Sequence, residues 1–135
     1  METMTLDKDI KVLYKTAASF PEGVLDAHEH LHALFPNSAE RKYFGISRPE
    51  NGTIVYRAAA EEKTSGEAEQ LQCDTLVVKQ GKYIYATVED YMKDVQSIGT
   101  TFQQLLSSPN LDPNGYCVEW YLNDKDVKCM IRLRD

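Results

Sequence analysis

The chain has 135 residues and a formal net charge of −6, and 42% of its residues are hydrophobic and 27% charged. This composition fits one folded domain and excludes wholesale disorder. No apolar run approaches the roughly 20 residues that span a bilayer. The acidic first nine residues lack the apolar core of a secretion signal, so we expect a cytoplasmic protein.

The charge and the cysteine content disfavour nucleic-acid-binding, disulfide-rich and zinc-binding classes of protein. Lys and Arg are scattered along an acidic chain, with a weak concentration only near the end, which disfavours direct binding to nucleic acid. Three cysteines, Cys73, Cys117 and Cys129, are too few for a disulfide framework and form no CxxC pair. We therefore expect reduced structural thiols, no zinc ribbon and no cofactor, and an acidic surface that favours cationic ligands.

The first half of the chain predicts a strand, a helix and a hairpin. The segment Ile10–Phe20 begins with β-branched and aromatic residues, and Val24–Phe35 carries apolar residues at helical spacing. Pro36-Asn37 ends the predicted helix. Lys42–Ser47 and Thr53–Glu61 then flank a Pro and Asn-Gly turn, which is typical of a β-hairpin.

The second half repeats this order. Leu71–Val78 and Lys82–Glu89 are predicted strands, and Tyr91–Leu106 is a predicted helix weakened by a glycine. Tyr116–Leu122 and Val127–Leu133 form a second predicted hairpin. In both halves a Pro-Asn pair ends the helix and a tyrosine follows seven residues after the proline, which favours a duplication.

The repeated order predicts an α+β fold made of a tandem pair of β-α-β-β modules. We expect one antiparallel sheet with two helices on one face and a groove between the halves. The whole chain, residues 1–135, is predicted to be a single domain with pseudo-repeats at about 8–61 and 71–135. The charged segment of about residues 62–70 is the expected linker or mobile loop.

The last hairpin draws attention to Glu119. Strand residues alternate faces, so Glu119 shares a face with Cys117 and Tyr121. A four-residue loop over 123–126 would place Leu122 opposite Val127 and Glu119 opposite Met130, with basic residues diagonal to the carboxylate. Glu119 is then either a surface carboxylate in weak ion pairs or a partly desolvated carboxylate that holds an organic cation among aromatic rings.

Several short motifs resemble the GyrI-like small-molecule-binding domain, also called the bacterial transcription activator effector-binding domain. The similarity covers nearly the whole chain and depends on the order and spacing of these motifs. They are Phe20-Pro21-Glu22-Gly23, Tyr56-Arg57-Ala58-Ala59-Ala60, Gly81-Lys82-Tyr83, Phe102-Gln103-Gln104-Leu105-Leu106, Pro113-Asn114-Gly115, Val118-Glu119-Trp120-Tyr121 and Met130-Ile131-Arg132-Leu133.

The resemblance implies a tandem β-α-β-β fold and binding of lipophilic cations, as in effector domains of multidrug-responsive transcription regulators. It also implies that the glutamate of the E-x-Y motif, Glu119, contacts the ligand. Some stand-alone members of the family are hydrolases of reactive cyclopropane-bearing compounds. Because the first predicted strand begins near Ile10, we expect no helix-turn-helix domain and therefore a stand-alone module.

The expected ligand is a cationic or amphiphilic aromatic compound. Its predicted binding residues are the glutamate and a set of aromatic side chains, namely Glu119, Tyr121, Trp120, Tyr14, Tyr43, Tyr56 and Tyr85. The pair His28 and His32 has helical spacing for a shared metal, but the motif is not HExxH and no third ligand is evident nearby, so no metal site is expected.

Two other functions stay open at this point. The chain could be a hydrolase of an electrophilic small molecule with Glu119 as general base, provided that burial raises the pKa of that carboxyl. It could instead be a protein-binding inhibitor module, or act as a homodimer. The membrane is not an expected partner.

Overall fold

The computed structural model describes residues 2–35 and 40–135. The predicted helix end at Pro36-Asn37 therefore lies outside the described residues. The strands are β1 Glu2–Leu6, β2 Ile10–Thr16, β3 Tyr43–Glu50, β4 Thr53–Glu61, β5 Asp74–Val78, β6 Gly81–Val88, β7 Cys117–Tyr121 and β8 Val127–Arg132. The helices are α1 Val24–Ala33, the single turn α2 Glu67–Gln70 and α3 Gln96–Leu106, with a 3₁₀ turn at Tyr91–Lys93.

All eight strands form one antiparallel sheet in the order β1-β6-β8-β7-β3-β4-β2-β5. The α+β fold of two β-α-β-β modules is confirmed, and the modules meet where β3 pairs with β7. A strand that precedes each module in the sequence pairs with the other module. β1 precedes the first module but pairs with β6, and β5 precedes the second module but pairs with β2.

These exchanges force the sheet to curl. β1 and β2 are six strand positions apart, about 29 Å in a flat sheet. Only residues 7–9 join them, and such a link spans about 14 Å at most. The link from β5 to β6 is shorter still and also crosses six positions. The two edges therefore approach each other, and the enclosed face buries Val12, Phe44, Tyr83 and Met130.

The helices cover the outer face. α1 packs Ala27 and Leu31 against small and aliphatic residues of β2 and β4, and α3 packs Phe102 and Leu105 against β8. Both helices bury these side chains at three- and four-residue spacing, as predicted. β3 and β7 lie between the two helices, so the outer face has a groove at the junction of the modules.

Three sequence predictions need correction in the N-terminal residues and around α3. The strand β1 was not predicted, because five partly exposed residues carry little periodicity. The predicted helix Tyr91–Leu106 begins only at Gln96, since Asp90 has a φ of 52° and Asp94 a φ of −154°. Val95 and Leu106, which the apolar spacing of the predicted helix assigns to its buried face, are 58% and 54% exposed.

The predicted register of the last hairpin is wrong by one residue. Glu119 lies opposite Cys129, not Met130, and Tyr121 lies opposite Val127. The loop is longer than predicted, because the Leu122 N–H donates to the Asp126 carbonyl and Asn123 caps the turn. The pattern misled because β8 is buried on both faces, so that burying apolar residues does not distinguish one register from the next.

The segment that joins the halves packs against the first module. Ala68 of α2 is buried, and Arg41 donates two hydrogen bonds to the carboxylate of Glu67. Glu62 accepts a hydrogen bond from the Ala68 N–H and pairs with Lys11.

Within the described part of the chain, no helix is long and apolar enough to cross a membrane.

Candidate functional site

Glu119 lies at the centre of the groove on β7, with 8% of its surface exposed. Its Oε1 accepts hydrogen bonds from the hydroxyls of Tyr121 at 2.5 Å and Tyr56 at 3.0 Å. Its Oε2 accepts none from the described residues. Among those residues, Arg57 Nε is the one side-chain nitrogen or oxygen that is both fully buried and without a hydrogen-bond partner. Oε2 also lacks a partner, so it is not fully buried and remains accessible from the groove.

Gly45 provides the space for this arrangement. It lies directly opposite Glu119 on the neighbouring strand β3. A Cβ atom at Gly45 would stand 2.0 Å from the Tyr56 hydroxyl and 2.7 Å from Glu119 Oε1. Both distances are below any real contact, so the carboxylate and the phenol can meet only over a residue without a side chain.

His28 of α1 closes one side of the cluster. Its Nε2 lies 2.8 Å from the Tyr56 hydroxyl, and its ring packs edge-on against Tyr56 and Tyr121. Because the single hydroxyl proton of Tyr56 is donated to the carboxylate, His28 Nε2–H is the donor in this contact. Burial, with a smaller effect of His32, lowers the pKa of His28 to about 4, so that the ring is neutral at neutral pH.

The electrostatics of the cluster disfavour a lone negative charge. Burial raises the pKa of Glu119, and the hydrogen bonds from Tyr121 and Tyr56 oppose that rise only in part. No ion pair within residues 2–35 and 40–135 involves Glu119. Burial also raises the pKa of Tyr56 and of Tyr121, which therefore remain protonated donors.

The thiols near Glu119 are unreactive at neutral pH. Burial raises the pKa of Cys117 to about 11 and that of Cys129 to about 12, with the Glu119 charge adding to both shifts. A thiolate is the reactive form of cysteine, so neither residue is suited to nucleophilic catalysis here. Glu119 is the group in this cluster that could bind a cation or accept a proton.

Aromatic rings form the walls beside the carboxylate. Phe20 stacks on Tyr56 with ring centroids 5.9 Å apart, and Tyr91 packs against Tyr121 at 5.6 Å. Phe20 is 43% exposed, so its ring lies at the open side of the cluster. A carboxylate surrounded by aromatic faces attracts organic cations through both its charge and the ring quadrupoles.

The structure brings some of the predicted binding residues together and separates others. Glu119, Tyr121 and Tyr56 form the cluster, and Tyr43 lies on the same outer face with its ring stacked on His32 at 4.1 Å. The other three predicted residues face the enclosed side of the sheet and do not reach Glu119. They are Trp120, Tyr14 and Tyr85.

Four residues of the site were not predicted as such: Gly45, His28, Phe20 and Tyr91. In the sequence, Phe20 stands in one of the motifs that resemble the GyrI-like family, and His28 lies on the apolar stripe of a predicted helix. Its ring lies 6.4 Å from that of His32. Among the described residues, no group of three or more His, Cys, Asp or Glu side chains is placed to hold a metal ion.

Comparison with known proteins identifies the fold. No family model matches the chain, and no curated protein is similar in sequence. An integron cassette protein from the mobile metagenome of Vibrio cholerae shares 15% identity, with a TM-score of 0.71 over 98% of this chain and 95% of that one. The protein SAV2435, solved with bound tetraphenylphosphonium, shares 11% identity, with a TM-score of 0.60 over 97% and 93%.

A hydrolase from Listeria innocua is also similar, with 12% identity and a TM-score of 0.58 over 98% of this chain and 90% of that one. At such identities the likeness shows the fold alone. The chain thus has the α+β fold of a structure that contains a small organic cation, and its own groove holds a buried carboxylate among tyrosines.

Proposed function

We propose that the chain is a GyrI-like small-molecule-binding protein that takes a lipophilic organic cation between α1 and α3. The observation that carries this proposal is the burial of Glu119 without a cationic partner in the described residues. The bound state of SAV2435 supports it, because that protein shares the fold and was solved with an organic cation.

Glu119 has no counter-charge within the described residues. A buried carboxylate is costly unless it is paired, and the two tyrosine hydroxyls satisfy only one of its oxygens. A ligand cation beside Oε2 would lower the pKa of Glu119 and stabilise its ionised form. The rings of Tyr121 and Tyr91 would cover the apolar part of the ligand, and Phe20 would cover its outer end.

The test compares a cation with a neutral compound of similar shape. Tetraphenylphosphonium and triphenylphosphine oxide are titrated into wild-type protein and Glu119→Gln in a calorimeter. We expect Glu119→Gln to weaken the phosphonium by about tenfold or more, since a charged contact contributes about 1.5–3 kcal/mol. The affinity for the phosphine oxide should change little.

Glu29→Gln is the matched control, because it removes the same formal charge from an exposed position on α1. It should leave both affinities unchanged. Equal losses for the two ligands in Glu119→Gln, or a phosphonium affinity that does not respond to this change, would contradict the proposal.

The proposed cellular role is the one that the resemblance to GyrI-like domains implies. We propose a cytoplasmic multidrug-type effector binder, related to effector domains in transcription regulation, that makes no direct contact with nucleic acid. The acidic net charge of −6 supports the last point. Any regulatory effect would then pass through a partner protein or a second copy of the chain.

A hydrolase function is the second candidate, and two observations favour it. Burial raises the pKa of Glu119, as a general base requires, and the similar fold from Listeria innocua is described as a hydrolase. Glu119 would remove a proton from water while the resulting hydroxide attacks an electrophilic carbon, such as that of an epoxide. The C–O bond breaks, and the proton taken up by Glu119 passes through the Tyr121 hydroxyl to the departing oxygen, so that both side chains return to their starting states.

Styrene oxide hydrolysis would test this candidate. Glu119→Gln should reduce kcat by about 10²–10⁴-fold if the carboxylate is the base. Turnover that persists in Glu119→Gln, or that is absent in the wild-type protein, would remove the hydrolase from consideration for this class of substrate.

A further inference from the structure

A cavity lies on the enclosed side of the sheet, opposite the face that carries the Glu119 cluster. Its volume is about 370 Å³, within the range of about 300–1,000 Å³ that small-molecule pockets occupy. Ile46 and Val118 form part of its wall. Ile46 directly follows Gly45 in the sequence, and Val118 directly precedes Glu119. Because strand residues alternate faces, the sheet itself separates the two sites.

The floor of this cavity is apolar. Ile46, Leu76, Val78 and Val118 supply branched aliphatic surface, and Tyr83 and Tyr116 supply rings. The Tyr83 hydroxyl already donates a hydrogen bond to the Lys79 carbonyl, so it needs no hydrogen-bond acceptor from a ligand. The guanidinium of Arg48 lies over the Tyr116 ring, 4.2 Å from its centroid. A hydrocarbon or aryl group would therefore bind here without leaving a polar group unpaired.

The rim of the cavity carries three basic side chains and two carboxylates. Arg132 is buried, with a side chain 8% exposed, and donates to two carboxylates of very different exposure. Asp112, 15% exposed, is held by Arg132 and by the Asn114 N–H, whereas Asp135 is 82% exposed and, among the described residues, reaches only Arg132 Nη2. Lys79 and Arg134 also line the rim, and neither has an ion pair in the part of the chain described.

We propose that this cavity is a second binding site, for a small amphiphilic carboxylate. The apolar part of the ligand lies on Ile46, Leu76 and Val118. Its carboxylate replaces that of Asp135 on Arg132 Nη2, with Lys79 and Arg134 close by. Asp135 is the group that yields, because its side chain is solvated and holds one hydrogen bond, while Asp112 is fixed by two partners. The proposal does not depend on Glu119 or on the cation groove.

The experiment titrates 4-phenylbutyrate, and its neutral amide as a control, into ¹⁵N-labelled full-length protein. We expect the carboxylate to shift the amide signals of Gly115, Val118 and Gly81, and to bind about tenfold more tightly than the amide. Lys79→Gln combined with Arg134→Gln should reduce that difference while leaving the affinity for the amide unchanged, because Arg132 is retained. Both positions are exposed, so these variants should fold.

Asp135→Asn tests the exchange of carboxylates directly. It should tighten the binding of 4-phenylbutyrate severalfold, because the competing charge is gone, and Glu119→Gln should not affect it. The proposal is overturned by equal affinity for the acid and the amide, by an unchanged affinity in Asp135→Asn, by shifts confined to the groove between α1 and α3, or by no binding at millimolar concentration.

Discussion

Glu119 is surrounded by tyrosine hydroxyls and aromatic rings. No basic residue of the described chain neutralises the charge of its carboxylate. Ionising such a carboxyl costs free energy, which is why burial raises its pKa. The neighbours that reduce this cost are themselves positioned by others. Tyr56 receives a hydrogen bond from His28, and the contact between Tyr56 and Glu119 exists only because Gly45 leaves room for it.

Replacing Gly45 by alanine should therefore disrupt the cluster. The added methyl group overlaps the Tyr56 hydroxyl and Glu119 Oε1, and we expect the free energy of unfolding in urea to fall by about 1–3 kcal/mol. Gly99→Ala is the control. It adds a methyl group on α3 with nothing within 4 Å, and it should raise stability by about 0.5–1 kcal/mol. Equal effects of the two changes would show that the space above Gly45 is not needed.

The neutral state of His28 predicts a loss of stability in acid. The pKa of His28 is lowered from 6.5 to about 4 in the folded protein, so the unfolded chain binds a proton that the folded chain does not. The free energy of unfolding should decrease by about 2–3 kcal/mol as the pH falls from 6.5 to about 4. Urea unfolding over this range should show a flatter profile for His28→Gln than for wild type.

His30→Gln is the control for this measurement, because His30 is exposed on the same helix. It should keep the wild-type profile. A His28→Gln profile as steep as that of wild type would assign the acid sensitivity to other groups. The raised pKa of Glu119 acts in the opposite sense, since its contribution to stability is lost as the pH rises through its folded value.

The secondary-structure elements that matter most for this architecture are the exchanged strands. β1 extends the second module although it comes first in the chain, and Met4 and Leu6 on β1 contact the enclosed core. β5 does the same for the first module, and Leu76 on it packs against the same core. Short strands at the two edges therefore contribute to a core that both modules share.

Substitutions on β1 should separate its two faces. Met4→Ala removes a partly buried side chain from the enclosed core and should lower the free energy of unfolding by about 1–2 kcal/mol, less than for a fully buried methionine. Thr3→Ala, at an exposed position next to it, should change stability by less than about 0.5 kcal/mol. Equilibrium urea unfolding measures both. Equal effects would indicate that β1 does not pack as described.

At the scale of the whole molecule, the reciprocal exchange ties the two modules together. Neither module can leave the sheet without losing a strand that belongs to the other in sequence. The curl then places residues from β1, β2, β5 and β6 in one enclosed core. A chain built in this way is expected to unfold as a single cooperative unit.

Hydrogen exchange provides the test of this cooperativity. The slowest amides of β4 in the first module and of β8 in the second should open with the same free energy, equal to that of global unfolding. Trp120 fluorescence and far-UV circular dichroism should also give coincident urea transitions. Two separate opening energies would indicate two independent domains instead of one.

Local patterns were sufficient for much of the fold. Apolar spacing predicted α1 and the buried face of α3, Asn51-Gly52 predicted the first hairpin, and the alternation of β7 placed Glu119 and Tyr121 on one face. These features depend on residues that are close in sequence, so that propensity and periodicity determine them. The repeated element order likewise predicted a tandem pair of modules and a groove between them.

The tertiary structure decided the rest, because it depends on pairings between distant residues. Periodicity does not say that β1 joins β6, or that the hairpin register puts Glu119 opposite Cys129, since several pairings bury similar surface. Tyr56 lies 63 positions before Glu119, and only the pairing of β3 with β4 and β7 brings the two together. The same pairings turn Trp120 to the enclosed face and leave the carboxylate in the groove.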